Sequence, residues 1–185
     1  PWEIDSEGFY IVKLRKTAES HQVERAPKIK NNIKLIYPDD KEIKSLLLNL
    51  SDYFGLSENI INNYKYIIKG NDIFFVDKDW QDEHLSMFER IGSRFGTIDR
   101  NNNIILHSQA AQVLQNNLTK NVVTLNTLDE VKKYIEGGIL NIESNINGQI
   151  CVQYKDEIIG TAGFSSGFMK SRFPKARRMQ EIVYQ

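Results

Sequence analysis

Only one of the 185 residues is a cysteine, Cys151, and only 4 are proline and 3 histidine. A single thiol rules out an internal disulfide and every zinc motif built from several cysteines, and it fits a reducing compartment. His21, His84 and His107 lack the i, i+4 spacing that lets one helix face hold zinc, so no metal site is expected. No run approaches the roughly 18 apolar residues of a membrane helix, and the start, PWEIDSEGFY, lacks the basic-then-apolar layout of a secretory signal. A cytoplasmic monomer without membrane contact is the expectation these absences leave. Nor is there an excess of charge: 24 basic and 24 acidic residues cancel, so bulk charge does not draw the chain to nucleic acid.

What is present is 41% hydrophobic residues, enough for one sizeable core or two small ones. The charges are also unevenly placed. Asp72, Asp77, Asp79, Asp82, Glu83 and Glu89 make the middle acidic, whereas Lys170, Arg172, Lys175, Arg177 and Arg178 meet no acidic residue until Glu181. A polarised distribution of this kind is an electrostatic footprint for phosphates.

At the N-terminus, EGFYIVKLRK reads as a strand with nothing before it to pair with, which suggests the end of a larger domain. The polar stretch TAESHQVERAPKIK then reads as a linker, with a boundary near residue 25. Ile43, Leu46, Leu47, Leu50 and Phe54 follow at the spacing of an amphipathic helix, with Asp39 or Asp40 able to cap its start and Gly55 suited to its end. YKYIIKGNDIFFVDKDW predicts a hairpin around Gly70 and Asn71. Further strands start near FERIGSRFGTID, where Gly92 and Gly96 mark bulges or close backbone approaches. A helix from about Ser108 to Leu118 would put Ala111, Leu114 and Leu118 on one face. Thr127 and Glu130 form a capping box for a second helix that Gly137 ends. NGQICVQYKDEIIGTAGF reads as a hairpin turning at Lys155, Asp156 and Glu157, and EIVYQ as a last strand. The fold class is therefore α+β, a small α+β unit followed by a small closed or half-closed barrel with inserted helices.

No catalytic constellation emerges. Cys151 sits in the alternating pattern GQICVQY and reads as a buried hydrophobe, His107 at a helix start as a cap or surface residue, and the paired acids as caps or solvated loop. GFSSGF lacks the Gly-Lys-Ser/Thr ending of a phosphate-cradling loop. The basic segment with interleaved aromatics remains: Lys and Arg neutralise phosphates, and an exposed Phe164, Phe168 or Phe173 would stack on unpaired bases. Large apolar side chains are more often buried, so the phenylalanines lean towards core.

Residues 159–178 resemble the end of the C-terminal PUA-like domain in bacterial ribosomal RNA cytosine-5 methyltransferases of the Nol/Nop/Sun class. Gly160, Gly167, Lys170, Phe173, Pro174, Lys175 and Arg178 stand at the family's places without a gap. EGFYIVKLRK resembles the strand that closes the family's catalytic domain, and YIEGG a Tyr-Leu-Arg-Gly inside its terminal domain. The departures are Thr161 for Trp, Gly163 for Lys, Ser171 for Asn and Ala176 for Gly, so the family's lysine contact at position 163 is missing.

The resemblance implies residues 1–25 as the end of an upstream methyltransferase domain and its linker, 26–84 as a small α+β linking domain, and 85–185 as a PUA-like RNA-binding domain. It implies an enzyme that transfers a methyl group from S-adenosylmethionine to a cytidine of small-subunit ribosomal RNA. The family's catalytic Pro-Cys-Ser and Thr-Cys-Ser motifs are absent, so no catalytic residue is assigned and the methyl donor belongs upstream. The expected role is non-catalytic RNA docking through Lys170, Arg172, Lys175, Arg177 and Arg178, with ribosomal RNA and the upstream catalytic domain as partners. The alternative is a structural module that braces the catalytic domain by protein packing.

Overall fold

The computed structural model describes residues 33–80, 91–144 and 146–178, together with Arg15, Thr17 and Leu85. The strand and linker expected at the N-terminus fall almost wholly outside these residues, and EIVYQ does so entirely.

Helix α1 spans Lys44–Phe54 and buries Leu46, Leu47, Leu50 and Phe54, the stripe its spacing predicts. Gly55 ends it at φ 67°, and a Cβ there would stand 2.0 Å from Thr119 Oγ1. The acidic cap is not found: no side chain caps α1, whose N-cap residue is Ile43. The Asp40 carboxylate instead accepts the Tyr37 N–H at 3.0 Å, while its carbonyl accepts the N–H groups of Ile43 and Lys44, so it shapes the turn before the helix. A short helix α2, Glu58–Ile61, leads into the expected hairpin of β1, Tyr64–Lys69, and β2, Asp72–Asp77, which turns at Gly70 with φ 62°.

Two further strands, β3 (Ser93–Ile98) and β4 (Ile104–Leu106), complete an antiparallel sheet in the order β1-β2-β3-β4. This sheet takes strands from both sides of residues 84 and 85. The register shifts between Ile73 and Phe74, which leaves Phe95 as the extra residue of a bulge, and Gly96 allows a close approach: a Cβ there would fall 2.6 Å from Ile105 O. Helix α3, Ser108–Val113, is shorter than the predicted stretch because the chain tightens into a 3-10 turn at Gln115–Asn117. Ala111 and Leu114 are buried, while Leu118 is only partly so.

The second sheet has the order β5-β7-β8-β9-β6, formed by Val122–Leu125 (β5), Gly148–Tyr154 (β7), Glu157–Ser165 (β8), Phe168–Ser171 (β9) and Ile139–Asn141 (β6). It curls into a half-barrel. Only β5 and β7 run parallel; the other pairs are antiparallel. Helix α4, Leu128–Ile135, starts with the capping box that Thr127 and Glu130 predict. The fold is thus α+β, as the sequence suggests.

One core lies between the first sheet, α1 and α3, and it also takes in Cys151 and Ile158 of the second sheet. Another lies within the curl of the second sheet, around Tyr134, Leu140, Ile150, Phe164 and Met169. The Gln149 side chain adds hydrogen bonds between the two sheets. Gln149 accepts the Leu106 N–H at 2.8 Å and donates to the Leu106 carbonyl at 2.7 Å, so its amide does for β4 what a neighbouring strand would do.

Candidate nucleic-acid interface

The basic segment begins on β9, where the burial of Phe168, Met169, Lys170 and Ser171 alternates between exposed and buried. Met169 joins the inner core with Phe164 and Leu140. Ser171 Oγ donates to Tyr134 O at 2.6 Å, and Tyr134 Oη donates to Thr161 O at 3.0 Å. Burial moves the Tyr134 hydroxyl well above its ordinary pKa, so it remains a proton donor at any physiological pH. Gly160 makes room for that hydroxyl, since a Cβ would lie 2.3 Å from Tyr134 Oη. YIEGG and the glycine motif are therefore two sides of one contact.

The outer face of the same ribbon is different. Register places Lys170 between Ile139 and Gly163, and Phe168 between Asn141 and Ser165, so these six positions form one outward patch. Phe168 is 54% and Ile139 52% exposed. Arg172 is exposed as well. Its Nε and Nη2 lie 3.8 Å from where a side chain at position 163 would begin, so a guanidinium occupies the space in front of Gly163.

Lys175 is exposed on the 3-10 turn Lys175–Arg177. Among the described residues, none of Lys170, Arg172 and Lys175 forms an ion pair, either with Glu136 and Glu143 near β6 or with Asp72, Asp77 and Asp79 in the acidic middle. Asp72 is held instead by Arg94 and Thr97, and that contact lowers its carboxyl pKa, chiefly through the Arg94 hydrogen bond. Arg178 does not share the open setting of Lys170. It is half-buried, donates from Nε to Phe173 O at 3.3 Å and lies over Gly137, where a Cβ would be 2.2 Å from its Cζ. The Arg177 side chain is outside the described part.

The phenylalanines separate cleanly. Phe164 is core at 2% exposure, Phe173 packs edge-on to Tyr134 with ring centroids 5.9 Å apart, and Phe168 is open to solvent. The alternation in FMKS carries that signal, because it puts Phe168 and Lys170 on one face. His107 caps α3, its Nδ1 accepting the Gln109 N–H at 3.4 Å. Cys151 is fully buried and its thiol is pushed up to about 12 by burial, which suits a core residue and not a nucleophile. The described residues include no group of three or more His, Cys, Asp or Glu that could hold a metal, and no helix long and apolar enough to cross a membrane. A cleft of about 250 Å³, lined by Asn49, Tyr53, Asp99, Asn103 and Asn147 among others, shares no residue with the basic segment.

No protein-family model matches the chain. Over 178 residues it is 22% identical to a protein of Shewanella oneidensis named ribosomal RNA small subunit methyltransferase F, a match covering 95% of this chain and 36% of that protein. Proteins of the same name from Shewanella putrefaciens and Shewanella baltica are 22% and 23% identical over 180 residues, with the same coverage. The chain is homologous to the C-terminal part of these methyltransferases. It spans about a third of their length, 36%. The basic outer face lies within the region that the comparison covers.

Proposed function

We propose that this chain is the RNA-docking part of an S-adenosylmethionine-dependent ribosomal RNA cytosine-5 methyltransferase, acting in the cytoplasm as a monomer on small-subunit RNA. The observation that carries the reading is the set of exposed cations Lys170, Arg172 and Lys175, which form no ion pair among the described residues, in a chain whose relatives are named for methylating that RNA. Phosphate contacts fix register and orientation on RNA without reading sequence, so the role is positioning. Residues 85–185 do the docking, and residues 26–84 link them to a catalytic domain while sharing the first sheet with them.

The chemistry belongs elsewhere in the enzyme. S-adenosylmethionine supplies the methyl group there, and the residues here do not fit that step: Cys151 is the chain's one thiol and its pKa lies far above neutrality. Arg177 and Arg178 belong to the same proposed set, and Arg178 also packs over Gly137, just past the end of α4.

The test is binding to a small-subunit ribosomal RNA fragment across a salt series. Replacing Lys170, Arg172, Lys175, Arg177 and Arg178 together by alanine is expected to weaken binding and flatten its salt dependence, each phosphate contact removed lowering the slope by about 1. An unchanged affinity and slope would refute the docking role and leave the bracing role in its place.

A further inference from the structure

We propose that Phe168 is a stacking platform for one unpaired RNA base, with Lys170 and Arg172 holding the phosphates beside it; this rests on the RNA-docking reading above. Phe168 opens β9 and is held in the ladder from both sides, by Ser165 of β8 and Asn141 of β6. The turn before it has positive φ at both central residues, 51° at Ser166 and 82° at Gly167, the pattern of a tight two-residue hairpin that fixes where the ring begins. The ring is therefore placed before any ligand arrives, and it is exposed.

The surroundings decide what would cover it. Between strand axes the patch measures about 10 Å across β8, β9 and β6 and about 7 Å along them, the size of a nucleotide and well short of the roughly 800 Å² per partner of a stable protein interface. Lys170 lies two residues from Phe168 on the same face, and Arg172 stands over Gly163, which pairs with Lys170. Asn141, opposite Phe168, offers an amide donor and acceptor at the rim. An apolar ring bordered by exposed cations and an amide matches the flat face, phosphates and polar edge of a nucleotide. A base inside a duplex is already stacked on both sides, so the platform selects single-stranded RNA, a loop or a bulge.

The experiment compares the whole chain with Phe168→Ala, Phe168→Leu, Phe168→Trp and Lys170→Ala, using a labelled unstructured 12-nucleotide RNA and a blunt duplex of the same sequence at several salt concentrations. Thermal melts check folding, and the leucine variant keeps apolar volume without a π face. Phe168→Ala and Phe168→Leu are expected to lose about tenfold or more on the single strand, with duplex affinity and salt slope unchanged. Phe168→Trp should retain affinity, with added fluorescence that single-stranded RNA quenches. Lys170→Ala should weaken both RNAs and lower the slope by about 1. If both apolar variants bind the single strand as the parent does, the platform is wrong while RNA docking stands. If the parent binds neither RNA in a salt-dependent way, docking fails and the platform with it. If the Phe168 variants keep RNA binding but lose a pull-down with a relative's catalytic domain, the face docks protein and the proposal is overturned.

Discussion

The ribbon of β8, β9 and β6 treats polar groups in opposite ways on its two faces. Inside, the Tyr134 hydroxyl donates to the Thr161 carbonyl and the Ser171 hydroxyl to the Tyr134 carbonyl, and Gly160 leaves the space that the phenol fills. Outside, Lys170 and Arg172 stand without an ion pair among the described residues, beside an exposed phenyl ring. The residues of the motif that resembles the methyltransferase family therefore divide by face. Some hold the ribbon to α4; others face solvent.

The comparison breaks most visibly at Gly160. Valine there would drive a branched side chain into a hydroxyl that is fully enclosed, at φ 154°, and the expected loss is about 3 kcal/mol or more in a urea melt. A near-neutral result would mean that the Tyr134 contact is not what the glycine serves. Gln149→Leu comes next. It strips both partners from the buried Leu106 backbone, at about 1–3 kcal/mol for each orphaned group, so a drop of about 2–6 kcal/mol is expected from the same melt.

On the outer face the sign of the result changes. Lys170→Ala should leave stability within about 0.5 kcal/mol while lowering the salt slope of RNA binding, the reverse of the pattern at Gly160. A loss of stability without a change of slope would move Lys170 to the fold-holding group.

Arg94 is the useful control, a cation that does have a carboxylate. Its hydrogen bond to Asp72 holds that carboxyl below 3.8, so the pair contributes fully above about pH 4 and its contribution vanishes as pH falls through the lowered value. Both side chains are about 40% exposed, 42% and 38%, and solvent screening keeps the effect below about 1 kcal/mol. Asp72→Asn should therefore flatten the acid side of the stability profile slightly and leave RNA binding alone.

Local features were legible in the sequence because they are set by neighbouring residues. The stripe of α1, the Thr127 and Glu130 capping box, the hairpin at Gly70 and the histidine cap each follow from spacings of a few residues. What failed or stayed hidden depends on partners far along the chain. Asp39 and Asp40 looked like caps, but the turn at Tyr37 claimed the Asp40 carboxylate first. Alternation in FMKS shows that Phe168 and Lys170 share a face, yet only their exposure in the folded chain shows that no described residue covers this face. Arg178 belongs to the basic run by sequence and to the packing around Gly137 by structure, because the 3-10 turn Lys175–Arg177 carries it back over the residues that follow α4. The reason for Gly160 lies 26 residues earlier, in Tyr134.

The Gln149 amide sets a condition on strand alignment. Both of its hydrogen bonds are made to a residue of the other sheet, so β7 has one position along its length at which it fits. Sliding β7 by a single residue would present Gly148 or Ile150 to Leu106, and neither side chain can replace the amide. The first sheet thus acts as a ruler for the second. An alignment error in the β7–β8 hairpin would be penalised at Leu106 even while the hairpin's own ladder remained complete, and the outer face of the ribbon inherits its register from that check.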